Sequence, residues 1–198
     1  MRIASPADID AVTEIIALAF ATDPVWGIAL ARADGSTAHH IPYWRLFVEG
    51  AVPQGNVFLT DGDASAVAVW IPPGGHEMTE EQEEALREIV VDNLAPEAQD
   101  AMFALWDRFD TNHPQTEPHA YLSLLATHPD HRGRGIAQEL LRENLADLDR
   151  QGVPAYLEST NPANDHRYER AGFAKIGEFA GATEGSVVST MWRAVGGA

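Results

Sequence analysis

Arg132-Gly133-Arg134-Gly135-Ile136-Ala137, preceded by His128-Pro129-Asp130-His131, is the stretch of this chain best suited to hold a ligand. An aromatic and aliphatic run at 119–127 comes before it and apolar residues at helical spacing follow, so the glycines sit in a turn joining a strand to a helix. A helix N-terminus leaves backbone N–H groups unpaired and carries the positive end of the peptide dipole, which suits an anion. Gly133 and Gly135 clear side chains from the approach, and Arg132 and Arg134 add permanent positive charge matched to phosphate. The plainer alternative is a turn whose glycines serve only backbone geometry. The string is neither a P-loop, which needs a Gly-Lys-Ser/Thr ending, nor a Gly-x-Gly-x-x-Gly dinucleotide fingerprint.

Other residues with chemical potential lie further along. Glu158 is an acid in the middle of the expected strand 155–160, on the same face as Tyr156 and Thr160, which is either cleft or solvent. Tyr168 is a phenol that could donate a proton without carrying charge at neutral pH, or pack its helix on the sheet. Trp70, at a strand end, could face a substrate or sit in the core. His39-His40 lacks a third partner nearby and is a poor metal signature, so no metal is expected and the pair reads as a solvated helix start.

The elements that must position these groups can be read from pattern. Ser5-Pro6-Ala7-Asp8 opens a helix with Ile9, Val12, Ile16, Ala19 and Phe20 on its apolar face, ending at Asp23-Pro24. A partly helical segment at 37–51 is crowded with aromatic residues. Asn56–Thr60 and Ala64–Ile71 form a hairpin around Asp61-Gly62-Asp63. Thr79-x-x-Gln82 caps a helix that Pro96 interrupts, and a second helix runs towards Asn112. Residues 77–100 hold nine acids and one arginine, a pattern expected of a solvated face. After the glycine loop come a helix ending near Gly152, a strand parallel to 119–127, a short helix from Asn161 to Ala171, and a hairpin of 174–181 with 185–193.

Composition narrows the classes. The chain has 198 residues with 45% hydrophobic content, which suits one domain over 1–198. Without cysteine there is no disulfide, thiolate metal site, cysteine nucleophile or covalent thioester route through the enzyme. No run approaches the roughly 18 apolar residues of a membrane span and the N-terminus lacks a secretory layout, so a cytoplasmic protein is expected. A net charge of −17 argues against nucleic acid or an anionic membrane as partner and favours a cationic substrate. Arg132, Arg134, Arg142, Arg150, Arg167 and Arg170 nonetheless gather in one segment, where a polyanionic ligand would be drawn; Arg142 and Arg150 read as partners of acids on a helix face.

Arg132-x-x-Gly135-x-Ala137 after His-Pro-Asp, followed by Leu157-Glu158-Ser159-Thr160-Asn161 and Asn164-x-x-x-Tyr168-Glu169-Arg170-x-Gly172-Phe173, resembles the two signatures of the GNAT acetyltransferases. The strand at 66–70, the Gly-Val-Pro-Ala turn at 152–155 and Tyr-Glu-Arg-x-Gly-Phe at 168–173 are similar to those of puromycin N-acetyltransferase and related actinobacterial members. The resemblance implies an α/β (α+β) fold: a central, mixed, mostly antiparallel twisted sheet of six to seven strands, flanked by helices, with one parallel strand–helix–strand crossover. It implies acetyl-CoA as acyl donor, a small-molecule primary amine as acceptor, direct attack in a ternary complex, and a monomer or homodimer.

The same resemblance implies residue roles. The loop from Arg132 to Ala137 would take the CoA pyrophosphate, and the backbone of Leu125, Ala126 and Thr127 would hold the pantetheine and polarise the thioester carbonyl. Asn161 and Asn164 are offered for pantetheine hydrogen bonds, with helix capping as an equal alternative. Tyr168 would protonate the departing thiolate, and Glu158 would take the proton of the attacking ammonium. Trp26, Tyr43 and Trp44 would line the acceptor pocket, joined by Trp70. Ala137 in place of the more usual last glycine, and the short connection from Glu158 to Tyr168, depart from the commonest pattern. Acetylation of a protein N-terminus or lysine, and a non-catalytic acyl-CoA-binding domain, are the competing functions.

Overall fold

The strands are β1 (Arg2–Ile3), β2 (Val57–Leu59), β3 (Ala66–Ile71), β4 (Ala120–Thr127), β5 (Ala155–Ser159), β6 (Ala174–Ala180) and β7 (Val187–Arg193). In this computed structural model, which describes residues 1–62 and 64–197, they form one sheet in the order β1-β2-β3-β4-β5-β7-β6. Every neighbouring pair is antiparallel except β4 with β5. The mixed sheet with one parallel crossover expected from sequence is therefore present. Asp63 of the expected hairpin turn and Ala198 lie outside the described residues.

All six residues of β3 are buried, and their alternation explains the layers. Val67 and Val69 enter one core, with α1 (Ile9–Phe20), α2 (Trp26–Ala29), α3 (His40–Ala51), α4 (Glu80–Asn93) and α5 (Pro96–Asn112). Ala66, Ala68 and Trp70 enter the other, against Leu140, Leu141 and Leu145 of α6 (Ile136–Gln151). Tyr168, on α7 (Asp165–Arg170), packs at the edge of that second core. The Thr79 capping box forms in both directions: Gln82 N–H donates to Thr79 Oγ1 at 3.3 Å, and Thr79 N–H to Gln82 Oε1 at 2.9 Å. Pro96 starts α5, as a proline in a first turn can.

Three expectations are corrected by packing. Trp70 lies on the α6 side of the sheet, where its Nε1 donates to Asn144 Oδ1 at 3.1 Å. Tyr43 is fully buried beneath α5 and its hydroxyl accepts from Trp106 Nε1 at 3.3 Å. His39 and His40, read as a solvated helix start, are 3% and 4% exposed; Nε2 of His39 bonds the Leu30 carbonyl oxygen at 2.8 Å. Desolvation holds both histidines below their ordinary pKa, as expected of imidazoles taken into the core.

Arg193 and Asp149 tie the crossover helix to the last strand. Arg193 Nη1 and Nη2 donate to the two Asp149 oxygens at 2.7 and 2.8 Å, and Nε donates to the Ala171 carbonyl at 2.9 Å. The Arg193 guanidinium, helped by the Gly196 N–H, holds the Asp149 carboxyl down at about 2, below its ordinary 3.8. Because the folded-state value is the lower one, this contribution is fully present above 3.8 and fades as pH falls through about 2. Arg193→Ala is expected to lower unfolding free energy at pH 7 by about 2–3 kcal/mol, with urea denaturation showing a smaller difference from wild type at pH 3.

Candidate active site

The site begins where β4 and β5 part. Their parallel pairing runs from Ala120 with Ala155 only as far as Leu122 with Leu157. Beyond that point β4 stays with β3 up to Thr127, while Glu158 and Ser159 stay with β7. A bulge accompanies the parting: Val69 faces Leu124 and Trp70 faces Leu122, leaving Ser123 as the extra residue on β4. A bulge bends its strand and raises local twist, which swings the end of β4 away from β5. The β4 edge that loses its partner presents unpaired backbone groups to the opening.

A cavity of about 350 Å³ fills this wedge and extends under α4 and α5. Leu122–Leu125 and Leu157–Asn161 form its floor, with Asn164 and Tyr168 at one side. Phe20, Trp26, Trp44, Phe47, Trp106 and Phe109 build an aromatic wall, in which Trp26 stacks on Phe109 at 5.5 Å between ring centres. Asp23 anchors that wall: its Oδ1 accepts from the N–H groups of Val25 and Trp26 at 2.9 and 3.0 Å, and its Oδ2 accepts from Thr160 at 2.8 Å.

Against the aromatic wall stand carboxylates. Glu77, Glu83, Asp110 and Glu158 all line the cavity, with Asp23 at its rim and Arg87 as one cation among them. The Glu158 side chain is 2% exposed, Oε1 lies 3.5 Å from Nδ1 of His113, and among the described residues neither oxygen has a hydrogen-bond partner of good geometry. Burial first, and the Glu158 carboxylate second, push the phenols of Tyr121 and Tyr156 well above their ordinary range, so both stay neutral beside it. Glu77 accepts from the Ser123 hydroxyl; desolvation, reinforced by Glu158, raises its carboxyl to about 7. Tyr168 is half-buried in the cavity wall, and burial, then the carboxylates of Asp23 and Asp165, hold its phenol up at about 12.

The glycine loop lies at the C-terminal end of β4. Pro129–His131 makes one 3-10 turn, Gly133 and Gly135 have φ of 78° and 75°, and Gly135 is the residue before α6. Positive φ is the reason for glycine at both positions, since a Cβ on either would meet nothing within 4 Å. That same open space leaves room for an anion over the N–H groups of Ile136, Ala137 and Gln138, which precede the first bond of the helix, Glu139 to Gly135. Arg132 and Arg134 are exposed and donate to the carbonyls of Ala19 and Asp130, both at 3.2 Å, with no acidic partner among the described residues. Arg142 and Arg150, by contrast, pair with Glu139 and Asp147 on α6. The loop thus combines free helix N–H groups, open space and positive charge, features that suit an anion.

Of the residues singled out from sequence, the cavity brings together Trp26, Trp44, Leu125, Glu158, Asn161, Asn164 and Tyr168. Ala126 turns its side chain into the core while its backbone lies on the freed β4 edge, and Thr127 ends the strand. Asn161 Oδ1 caps the following turn by accepting from Ala163 N–H at 3.1 Å, which leaves Asn164 with the uncommitted side chain among the described residues. Tyr43 and Trp70 do not reach the cavity. Glu77, Asp110, His113, Tyr121 and Ser123 were not anticipated. Glu77 belongs to the acidic run read as solvated, and no local pattern separates it from its neighbours.

Residues 101–173, which include the loop and both strands of the wedge, match the model of the Acetyltransferase (GNAT) family. A crystal structure from Corynebacterium glutamicum, described as histone acetyltransferase HPA2 and related acetyltransferase, is similar with a TM-score of 0.71 at 24% identity over 98% of this chain and 94% of that one. Arylalkylamine N-acetyltransferase 2 from Aedes aegypti gives 0.66 at 14% identity, covering 98% and 97%. A polyamine N-acetyltransferase from Drosophila melanogaster, which forms N-acetylagmatine, gives 0.64 at 14% identity, covering 98% of both chains. Likeness at this identity establishes the fold. Residues 101–173 thus resemble the Acetyltransferase (GNAT) family, and the whole chain shares the fold of these acetyltransferase structures.

Proposed function

We propose that this protein, acting as one domain, transfers the acetyl group of acetyl-CoA to the primary amine of a small cationic molecule with an apolar body. The observation that carries this reading is the cavity itself: buried carboxylates at the strand wedge face a wall of aromatic rings, in a volume at the lower end of the roughly 300–1,000 Å³ usual for small-molecule sites. Carboxylates favour an ammonium group, and the aromatic wall favours an apolar or aromatic remainder.

Bound acetyl-CoA supplies the thioester carbon that the amine attacks. The chain's own residues do the rest. The Arg132–Ala137 loop holds the pyrophosphate, and Asn164 bonds the pantetheine arm. The free edge of β4 from Leu125 to Thr127 orients that arm and directs a backbone N–H towards the carbonyl oxygen. Glu158 accepts a proton from the ammonium at a carboxylate oxygen, and Tyr168 gives its phenolic proton to the departing sulfur. Most of the acceleration comes from holding the two reactants in line.

A thiol-release assay with acetyl-CoA over arylalkylamines, polyamines and agmatine tests the reading. The resemblance to puromycin N-acetyltransferase adds amine-bearing antibiotics to that panel. Turnover of at least one small amine in preference to peptide N-termini is expected, and binding of acetyl-CoA without turnover of any amine would overturn it. Tyr168→Phe is expected to lower kcat about 10- to 100-fold while calorimetric affinity for acetyl-CoA is unchanged, because a thiolate leaves more readily than most groups a general acid assists.

A further inference from the structure

His113, at the turn after α5, meets a different partner at each ring nitrogen. Nδ1 lies 3.5 Å from Oε1 of Glu158, and Nε2 lies 3.1 Å from Nε2 of His119. On the far side of His119, Nδ1 lies 2.7 Å from the carbonyl oxygen of Glu117. A carbonyl only accepts, so His119 carries its hydrogen on Nδ1 and presents a lone pair at Nε2. His113 must then donate from Nε2. Neutral His113 therefore aims the lone pair of Nδ1 at the Glu158 carboxylate, an arrangement that is attractive only when a proton lies between them.

We propose that His113 is a proton relay behind Glu158, held in its Nε2–H tautomer by His119, and that the proton lost by the attacking ammonium passes through Glu158 to His113 Nδ1. The inference rests on Glu158 being the base of the proposed reaction. The ammonium gives one proton to the carboxylate, becoming the neutral nucleophile; the carboxylic acid returns that proton to Nδ1, restoring the carboxylate and leaving an imidazolium. The His113 side chain is 28% exposed, which gives the imidazolium a direct outlet to water, whereas the Glu158 side chain is only 2% exposed.

The surroundings fit that role. Tyr121 of β4 and Tyr156 of β5 each meet the His113 ring edge-on at 4.9 Å, and both phenols are neutral. The acids facing the pair are Glu77 from the segment before α4, Asp110 from α5 and Glu117 beside His119. His119 is kept below its ordinary pKa by burial, wedged against Tyr156 and Trp192, and so remains the neutral acceptor that sets the tautomer.

Two measurements test this. On the wild-type protein labelled with ¹⁵N at histidine, two-bond proton–nitrogen correlations are expected to show His119 as the Nδ1–H tautomer and neutral His113 as the Nε2–H tautomer; His113 protonated at Nδ1 alone would overturn the proposal. In kinetics, His113→Gly is expected to lower kcat about 10- to 100-fold with KM for acetyl-CoA unchanged, to alter the acidic limb of the kcat pH profile, and to regain activity with free imidazole in a saturable way. His113→Gln should be equally slow. Wild-type kcat in His113→Gln alongside a slow Glu158→Gln would overturn the relay and leave the base assignment standing. Wild-type kcat in Glu158→Gln would overturn both.

Discussion

Glu158→Gln is expected to reduce kcat by about 10²- to 10⁴-fold, the range over which a positioned general base accelerates proton transfer. The amide is nearly the same size and keeps an acceptor oxygen, but it takes no proton, so an amine that arrives as an ammonium stays one. Acetyl-CoA affinity should hardly change, because Glu158 belongs to β5 across the wedge from the loop and the freed edge of β4. Stability should hold or rise. The carboxylate is almost wholly buried with no well-formed hydrogen bond among the described residues, and replacing such a charge by a neutral group removes a desolvation cost. Steady-state kinetics, calorimetry with acetyl-CoA and urea denaturation together separate this outcome from a folding defect. An unchanged kcat would remove Glu158 from the reaction.

Local rules served this chain well wherever one segment decides its own structure. The Thr79–Gln82 box, the proline starting α5, the left-handed Gly133 and Gly135, and the left-handed Gly152 after α6 all follow from residue type and short spacing. The site's outer parts were legible for the same reason, since a glycine turn before a helix is a local object. Its inner part was not. The bulge at Ser123 carries no glycine or proline, and it is defined by register against β3, on a stretch far away in sequence. Glu77 turns inward because the bulged Ser123 hydroxyl and the cavity are there to receive it, while its acidic neighbours on α4 stay solvated.

Aromatic residues show the same limit. Trp26, Tyr43 and Trp44 look alike as pocket candidates, yet only the first and last reach the cavity. Tyr43 and Trp44 are adjacent on α3, so the helix turns them to different neighbours, and Tyr43 satisfies its hydroxyl with Trp106 beneath the wall. Trp70 fails for a different reason: alternation along β3 places it with Ala66 and Ala68, on the α6 face. Both outcomes depend on which face of an element meets the wedge, and that is set by long-range pairing.

Gly135→Val should weaken acetyl-CoA binding by at least about tenfold, equivalent to roughly 1.4 kcal/mol. At φ of 75° a β-branched residue pays backbone strain of about 1–2 kcal/mol, and nothing nearby compensates because a Cβ there enters open space. The loop can relieve that strain only by moving the N–H groups of Ile136–Gln138 away from their common focus, or it can keep its shape and fill the space an anion needs. Either way the loss falls on the pyrophosphate. Arg132→Ala should act in the same direction without altering the backbone, since among the described residues its guanidinium rests only on the Ala19 carbonyl. An acyl donor that ends at pantetheine, with no pyrophosphate, makes the comparison decisive. With S-acetylpantetheine the wild type and both variants should converge, whereas a deficit that persists with the truncated donor would mean the loop serves the fold and not the anion.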